Sequence, residues 1–313
     1  MDEPTENVYR AMRIMQLMRM LENETKRARY YAEAAEEVKK IEHLTVNNYH
    51  ELNVGNKIQK YIYNILNGKG MDEIESLSDE QYEKFYSMSQ FIEIKGIGIK
   101  KAEKLYNEGI RTLKELENSS NITKMTKIAM EHEKDLKQRV KRETIDQWLI
   151  IFDEIIGSIN DGNTSLFISP AGSYSRGEKT SGDLDVILSS DIDNEPRKYI
   201  SEIIDKLYET GIIIQTLISG NDKFEGIGYI NGEPNFQVDI EIANTRDTYP
   251  YKLLYFTGSA KFVTNMRNTA KKMGYHLTNS EMLDDDGNRV YVESEREIFH
   301  ILNVEYIPPE MRI

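Results

Sequence analysis

No cysteine occurs among the 313 residues, and there are only seven prolines, one tryptophan and five histidines. Without cysteine there is neither a disulfide framework nor a thiolate metal site, which fits a reducing compartment. A metal ion would have to be held mainly by oxygen, and 53 Asp and Glu residues supply it in excess. No apolar run approaches the roughly 20 residues that a membrane-crossing helix needs. The first residues, MDEPTENVYR, are too acidic and polar for a secretory signal. The chain therefore reads as intracellular, with no membrane partner. A uniformly basic surface is missing too, since 40 Lys and Arg leave a formal charge of −13. That sum weighs against a nucleic-acid partner, but the distribution says more. Residues 1–90 carry 12 Lys/Arg against 16 Asp/Glu, residues 91–150 carry 13 against 10, and residues 151–313 carry 15 against 27. The middle segment is net basic, so nucleic acid stays open.

The length, with 39% hydrophobic residues, predicts two or more folded units. From Val8 to Lys40 the pattern is helical, with Ile14, Leu17, Met18 and Leu21 at spacings of three and four and no glycine or proline to interrupt it. Further helices are predicted at Lys57–Leu66, Asp79–Met88 and Ile99–Asn107. Past Trp148 and one more helix to Ile159, short β-branched runs at Ser165–Ile168, Leu184–Leu188, Ile212–Ile218, Gly228–Ile230 and Phe236–Ala243 predict a mixed sheet. The boundary between the helical and mixed halves is expected near residues 141–150. The tail reads as helix at Ala260–Met273 with short strands.

One module occurs twice. ELNVGNKIQKYI (51–62) and EIKGIGIKKAEKL (93–105) both place an apolar residue before a tight turn ending in glycine, then a helix with lysine at its start. Glycine there permits a sharp turn and leaves backbone N–H groups facing outward at a helix N-terminus, an arrangement that suits phosphate. Lys57 in the first copy, and Lys100 and Lys101 in the second, are candidates for charge-assisted contacts. The module resembles the helix-hairpin-helix motif, which grips DNA backbone without reading sequence. Gly96 and Gly98 fit its pattern, whereas Asn53 departs from it in the first copy. A pair of ordinary helix turns with solvated lysines is the competing reading.

The stretch GSYSRGEKTSGDLDVIL (172–188) carries the chemistry. In a strand, Asp183 and Asp185 point to one face about 7 Å apart, and two like charges so placed repel unless a cation lies between them. The later strand NFQVDIEIA puts Asp239 on its polar face. Three carboxylates with no nearby histidine suit Mg²⁺, and a two-ion site suits phosphoryl transfer. Gly172, Ser173 and Arg176 supply an anion site upstream, and Gly182 allows close approach just before Asp183. A calcium-like loop or a solvated strand end is the alternative.

Together these residues resemble the nucleotidyltransferase superfamily, and more narrowly the family X DNA polymerases of the DNA polymerase beta type. The resemblance rests on FIEIKGIGIKKAEKLYNEGIRTLKEL (91–116), on the 172–188 motif and on YFTGSAKFVTNMR (255–267). It implies a multidomain α and α+β fold. A helical domain would span residues 1–90, a helical DNA-binding subdomain 91–148, a nucleotidyltransferase-type mixed-sheet palm 149–248 and a small α+β nucleotide-selecting subdomain 249–313. The implied activity is template-directed filling of short DNA gaps without proofreading, using dNTPs and two Mg²⁺ per site, with Mn²⁺ an acceptable substitute. The implied partner is gapped or nicked DNA, the implied state a monomer, and the implied setting nuclear or viral repair. No phosphopeptide-binding module in front and no phosphoesterase domain behind is expected.

By resemblance, Asp183, Asp185 and Asp239 bind the ions. Arg139, Ser173, Arg176 and Gly182 hold the triphosphate, and Tyr255, Phe256 and Gly258 shape the sugar pocket. Arg267 reaches the minor groove and Lys223 the template backbone. Lys26, Arg27, Tyr31 and Lys57 match a pocket for the 5′-phosphate at a gap, and the carbonyls of Ile92, Ile94 and Ile97 match a monovalent-cation site. Departures are expected to matter. Tyr61 stands where the family has its Schiff-base lysine, and Lys60 points elsewhere, so 5′-deoxyribose phosphate lyase activity is in doubt. Ala260 and Val263 replace base-contacting residues. Glu241 and Gln237 replace arginines, which questions the family's open-to-closed switch and predicts a more negative site. The rival functions are a template-independent or ribonucleotide-using transferase and a non-catalytic DNA-end scaffold.

Overall fold

A computed structural model describes residues 1–230 and 232–312. The chain divides into two compact units, Met1–Met130 and Glu131–Ile313. Among the described residues no helix is long and apolar enough to cross a membrane.

The first unit is helical. The uninterrupted periodicity of residues 8–40 is broken into helices Glu3–Leu21 and Thr25–Lys39. The break falls at Asn23, whose φ of 60° is left-handed. Asparagine adopts that conformation more readily than most side chains, so the periodic pattern hid a helix end. The two helices bury Val8, Met12 and Met15 against Tyr31, Ala35 and Val38. Helix Asn56–Leu66 starts at Gly55 and helix Ile99–Asn107 at Gly98, both glycines extended at the N-cap. The repeat seen in sequence is thus a repeat of structure.

The second unit is built on a five-stranded sheet. Its strands are β2 (Leu166–Pro170), β4 (Asp183–Ser190), β5 (Ile213–Ser219), β6 (Lys223–Gly228) and β7 (Phe236–Ile242), in the order β2-β4-β7-β6-β5. Only the β4–β7 pair is parallel. Leu184, Val186 and Leu188 of β4 and Val238, Ile240 and Ile242 of β7 form one face, covered by Trp148 and Phe152 of helix Arg142–Ile159 and by Ile200 and Ile203 of helix Glu195–Glu209. A one-residue slip of β7 would expose those aliphatics, each worth roughly 1.5–3 kcal/mol when buried. The same alternation therefore fixes which residues reach the opposite, acidic face.

One sequence expectation is corrected. The strand expected at Gly228–Ile230 lies earlier, as β6. Its glycines disguised it, but a Cβ at Gly226 would meet the Phe224 ring at 2.8 Å, and one at Gly228 would meet Val238 at 2.6 Å. Glycine is needed for the aromatic packing of this strand. Residues 131–148, expected with the middle helical segment, fall within the compact unit Glu131–Ile313. There β1 (Val140–Lys141) pairs with β3 (Thr180–Ser181), while Ile145 and Trp148 enter the sheet's core. The C-terminal part carries helices Tyr249–Thr257 and Ala260–Lys272 and a small sheet of β8 (His276–Leu277), β9 (Met282–Leu283) and β10 (Arg289–Val290). Its last turn is anchored by Arg312, which is fully buried and bonded to Glu295 at 2.6 and 2.8 Å.

Candidate active site

The parallel register of β4 and β7 sets Asp185 directly beside Asp239, with Asp183 two residues back on the same face. Oxygens of the three carboxylates all lie within 4.8 Å of one another. Burial, together with the charges of Asp183 and Asp239, pushes the Asp185 carboxyl up from its ordinary 3.8 to about 8, with Arg176 opposing. A cluster that resists its own ionisation in this way calls for positive charge, and its all-oxygen donor set fits hard divalent ions. The backbone is shaped around it. Gly172 adopts φ 59°, and a Cβ there would stand 2.0 Å from Asp185 Oδ2. Ala171 N–H donates to the Asp185 carbonyl at 2.8 Å, tying the preceding turn to the strand.

That turn, Gly172–Ser175, carries Ser173 and leads into Arg176. Arg176 Nη1 donates to the Thr257 carbonyl at 3.1 Å, so the expected triphosphate arginine also meets the end of helix Tyr249–Thr257. Sequence reasoning missed the clamp behind the turn. Arg142 lies 3.9 Å from the Tyr174 ring and donates to its carbonyl at 2.8 Å, while the Tyr174 hydroxyl donates to Asp146 at 2.5 Å. Only the net-basic stretch around Arg142 hinted at it. Arg139 is exposed and bonds the Thr180 hydroxyl at 2.7 Å. Gly182 immediately precedes Asp183 with open space around it.

Beyond the acids, Tyr255 and Phe256 meet edge to face, with centroids 5.0 Å apart. Arg267 lies 4.9 Å over the Tyr255 ring. Gly258 is required, because a Cβ would meet Phe262 at 2.7 Å. On β7, Gln237 donates to Asp239 Oδ1 at 2.6 Å, and Glu241 accepts from Lys252 at 2.8 Å. Lys252 offsets part of the more negative site expected from Glu241, whose charge still adds to the upward push on the Asp185 carboxyl. Lys223 is paired with Glu225, a buried glutamate opposite Asp239 in the sheet register. Sequence reasoning did not single out Glu225, because the glycines around it hid the strand.

In the first unit, a cavity of about 590 Å³ is lined by Arg27, Tyr30, Tyr31, Gly55 and Lys57. It brings together three of the four residues expected at a 5′-phosphate. Lys26 is exposed and does not line it. Tyr61 packs toward the core, with Lys57 Nζ 5.7 Å from its ring. In the second hairpin Gly96 is left-handed at φ 86° and the Ile94 carbonyl accepts from Ile97 N–H at 3.0 Å. Ile92 and Ile97 flank this turn. Lys100 is exposed, whereas Lys101 turns inward to the Gly96 carbonyl at 3.3 Å and the Thr126 hydroxyl at 3.2 Å, and burial lowers its pKa.

Three family models match consecutive stretches. Residues 89–137 match the fingers domain of DNA polymerase lambda, 139–245 the DNA polymerase beta palm and 252–313 the DNA polymerase beta thumb. The chain is similar to DNA polymerase lambda of Arabidopsis thaliana, with 24% identity over 83% of this chain and 52% of that protein. It is similar to DNA-directed DNA/RNA polymerase mu of Homo sapiens, with 26% identity over 74% and 53%. It is also similar to DNA polymerase lambda of Rattus norvegicus, with 26% identity over 91% and 52%. The chain spans about half the length of these relatives.

Proposed function

We propose, for a chain that belongs to the family X DNA polymerases, that it fills short gaps in DNA by transferring a nucleotide from a dNTP to a primer 3′-hydroxyl, breaking the bond between the α- and β-phosphates and releasing pyrophosphate. The observation that carries this reading is the convergence of Asp183, Asp185 and Asp239 within 4.8 Å. Divalent ions bound there, Mg²⁺ with Mn²⁺ as a substitute, would neutralise the phosphates and acidify the attacking hydroxyl. Asp183 and Asp185 would hold both ions. Asp239, oriented by Gln237, would hold the ion nearer the primer and draw the hydroxyl proton toward its carboxylate. Ser173, Arg176, Gly182 and Arg139 would seat the triphosphate, and Tyr255, Phe256 and Gly258 would crowd a 2′-hydroxyl. Arg267 would lie in the minor groove, and Lys223 would exchange Glu225 for a template phosphate.

The two glycine-capped helices would track DNA backbone through Gly96, Gly98 and Lys100, with the carbonyls of Ile92, Ile94 and Ile97 shared by a monovalent cation. The cavity at Arg27, Tyr31 and Lys57 would take the 5′-phosphate at the far side of the gap without cleaving it, because Tyr61 cannot form an imine. A monomer would suffice, acting wherever DNA is repaired, in a nucleus or a virus-infected cell. Primer extension across a one-nucleotide gap tests the reading, with Asp239→Ala as control. Wild type should extend in Mg²⁺ and the variant should lose about 10³-fold or more. Equal behaviour of the two would end the proposal, and equal use of rNTPs, or extension without template, would favour a transferase.

A further inference from the structure

The ion pair between Glu241 and Lys252 has the features of a device rather than a surface contact. Both side chains are almost out of water, 12% and 7% exposed, and Lys252 Nζ meets Glu241 Oε2 at 2.8 Å. Glu241 stands two positions beyond Asp239 on the same face of β7. Lys252 belongs to helix Tyr249–Thr257 and lies 5.4 Å from the Phe256 ring. The same helix ends at the Thr257 carbonyl that Arg176 holds. One ammonium thus touches both the strand that carries the third acid and the aromatic ring placed for the sugar pocket.

We infer that Lys252 is a positioning residue of the nucleotidyl-transfer site: it cancels Glu241, keeps that carboxylate from joining the ion cluster, and fixes the Phe256 end of its helix against β7. This rests on the gap-filling reading above. A buried carboxylate left without its partner is costly to keep in place. With Lys252 removed, Glu241 would repel the incoming triphosphate or swing toward the ions, and either movement disturbs Asp239. The residue touches none of the proposed reacting atoms, so its effect runs through charge and geometry.

The test compares Lys252→Met, Lys252→Arg and the double variant Lys252→Met with Glu241→Gln in single-nucleotide gap filling, reading kcat and KM for dNTP separately. Lys252→Met should lower kcat about tenfold and raise KM for dNTP several-fold, as expected for an uncompensated buried charge beside a phosphate site. Lys252→Arg should restore most of the loss. The double variant, which leaves no charge unpaired, should return to within about threefold of wild type. A double variant as impaired as Lys252→Met would overturn the inference, since a role in packing alone gives that result. So would a Lys252→Met protein with unchanged kcat and KM. Should Lys252→Met fail to fold, the double variant and Lys252→Arg decide by the same criteria. An inactive wild type instead sinks the gap-filling reading itself.

Discussion

Replacing Asp185 with Asn should stabilise the metal-free protein, although it removes a ligand on which activity is proposed to depend. In the folded chain the Asp185 carboxyl is pushed up to about 8, chiefly by burial and by Asp183 and Asp239. Unfolded, it would titrate near 3.8. Below that value both states hold the proton and the shift has no effect. Between the two values the folded state keeps a proton that the unfolded state releases, so rising pH favours unfolding. At about 1.4 kcal/mol per unit, the full penalty reached above pH 8 is on the order of 6 kcal/mol. Asparagine keeps the size and loses the penalty. For a unit of this size each kcal/mol corresponds to about 2–4 °C, so the midpoints should diverge by on the order of 10 °C between pH 5 and pH 8.5. Trp148 is the sole tryptophan and is fully buried in the sheet's core, so its fluorescence follows the catalytic unit selectively. Mg²⁺ should raise the wild-type midpoint, more at high pH, and leave Asp185→Asn nearly unmoved. Parallel pH profiles for the two proteins without metal would refute the reasoning.

Gly172→Ala should cost about 10²-fold or more in gap filling, since a Cβ there would displace the Asp185 carboxylate from the geometry proposed for catalysis, while DNA affinity measured by fluorescence anisotropy stays near wild type. In the second hairpin the two glycines should separate. Gly96→Ala puts a side chain at φ 86° and 2.3 Å from Met125 Cε; its backbone term alone should cost about 1–2 kcal/mol in urea denaturation. Gly98→Ala meets nothing within 4 Å, so it should fold normally and weaken DNA binding by crowding the backbone. At the 5′ side, Lys57→Ala should lower the preference for a phosphorylated gap end about tenfold. Borohydride should trap no abundant adduct with wild type on a 5′-deoxyribose phosphate end, and Tyr61→Lys should restore one; abundant wild-type trapping would contradict the binding-only role.

The three aspartates were legible because strand alternation is a local code. Asp183 and Asp185 share a face by spacing alone, and the alternation Val238, Asp239, Ile240 by itself assigns the third acid to the polar side of its strand. Their adjacency, Asp185 beside Asp239, needed the parallel pairing of strands about fifty residues apart, and only the motif order suggested it. Asn23 hid a helix end because periodicity does not register one left-handed residue. The glycines of β6 hid a strand because the aromatic rings that require them lie on the same strand and its neighbour. The pairing of Lys252 with Glu241 was not legible, since a helix and a strand must dock before their eleven-residue separation becomes a 2.8 Å bond. Lys101 looked like a phosphate ligand by position, yet its ammonium turns back to the Gly96 carbonyl and the Thr126 hydroxyl.

The same physics explains why this sheet tolerates so much acid on one face. Unpaired buried carboxylates would each cost several kcal/mol, and natural domains are stable by only about 5–15. Here the acids fall into two classes. Glu241 is neutralised by Lys252 and Glu225 by Lys223, so these outer acids bring their own cations. Asp183 and Asp185 on β4 and Asp239 on β7 lie beside them on the same face, and Arg176, which also reaches across to Thr257, opposes part of the upward push on Asp185. The three-aspartate cluster could hold a metal ion, and the lysines paired with Glu241 and Glu225 hold those neighbouring acids in ion pairs of their own.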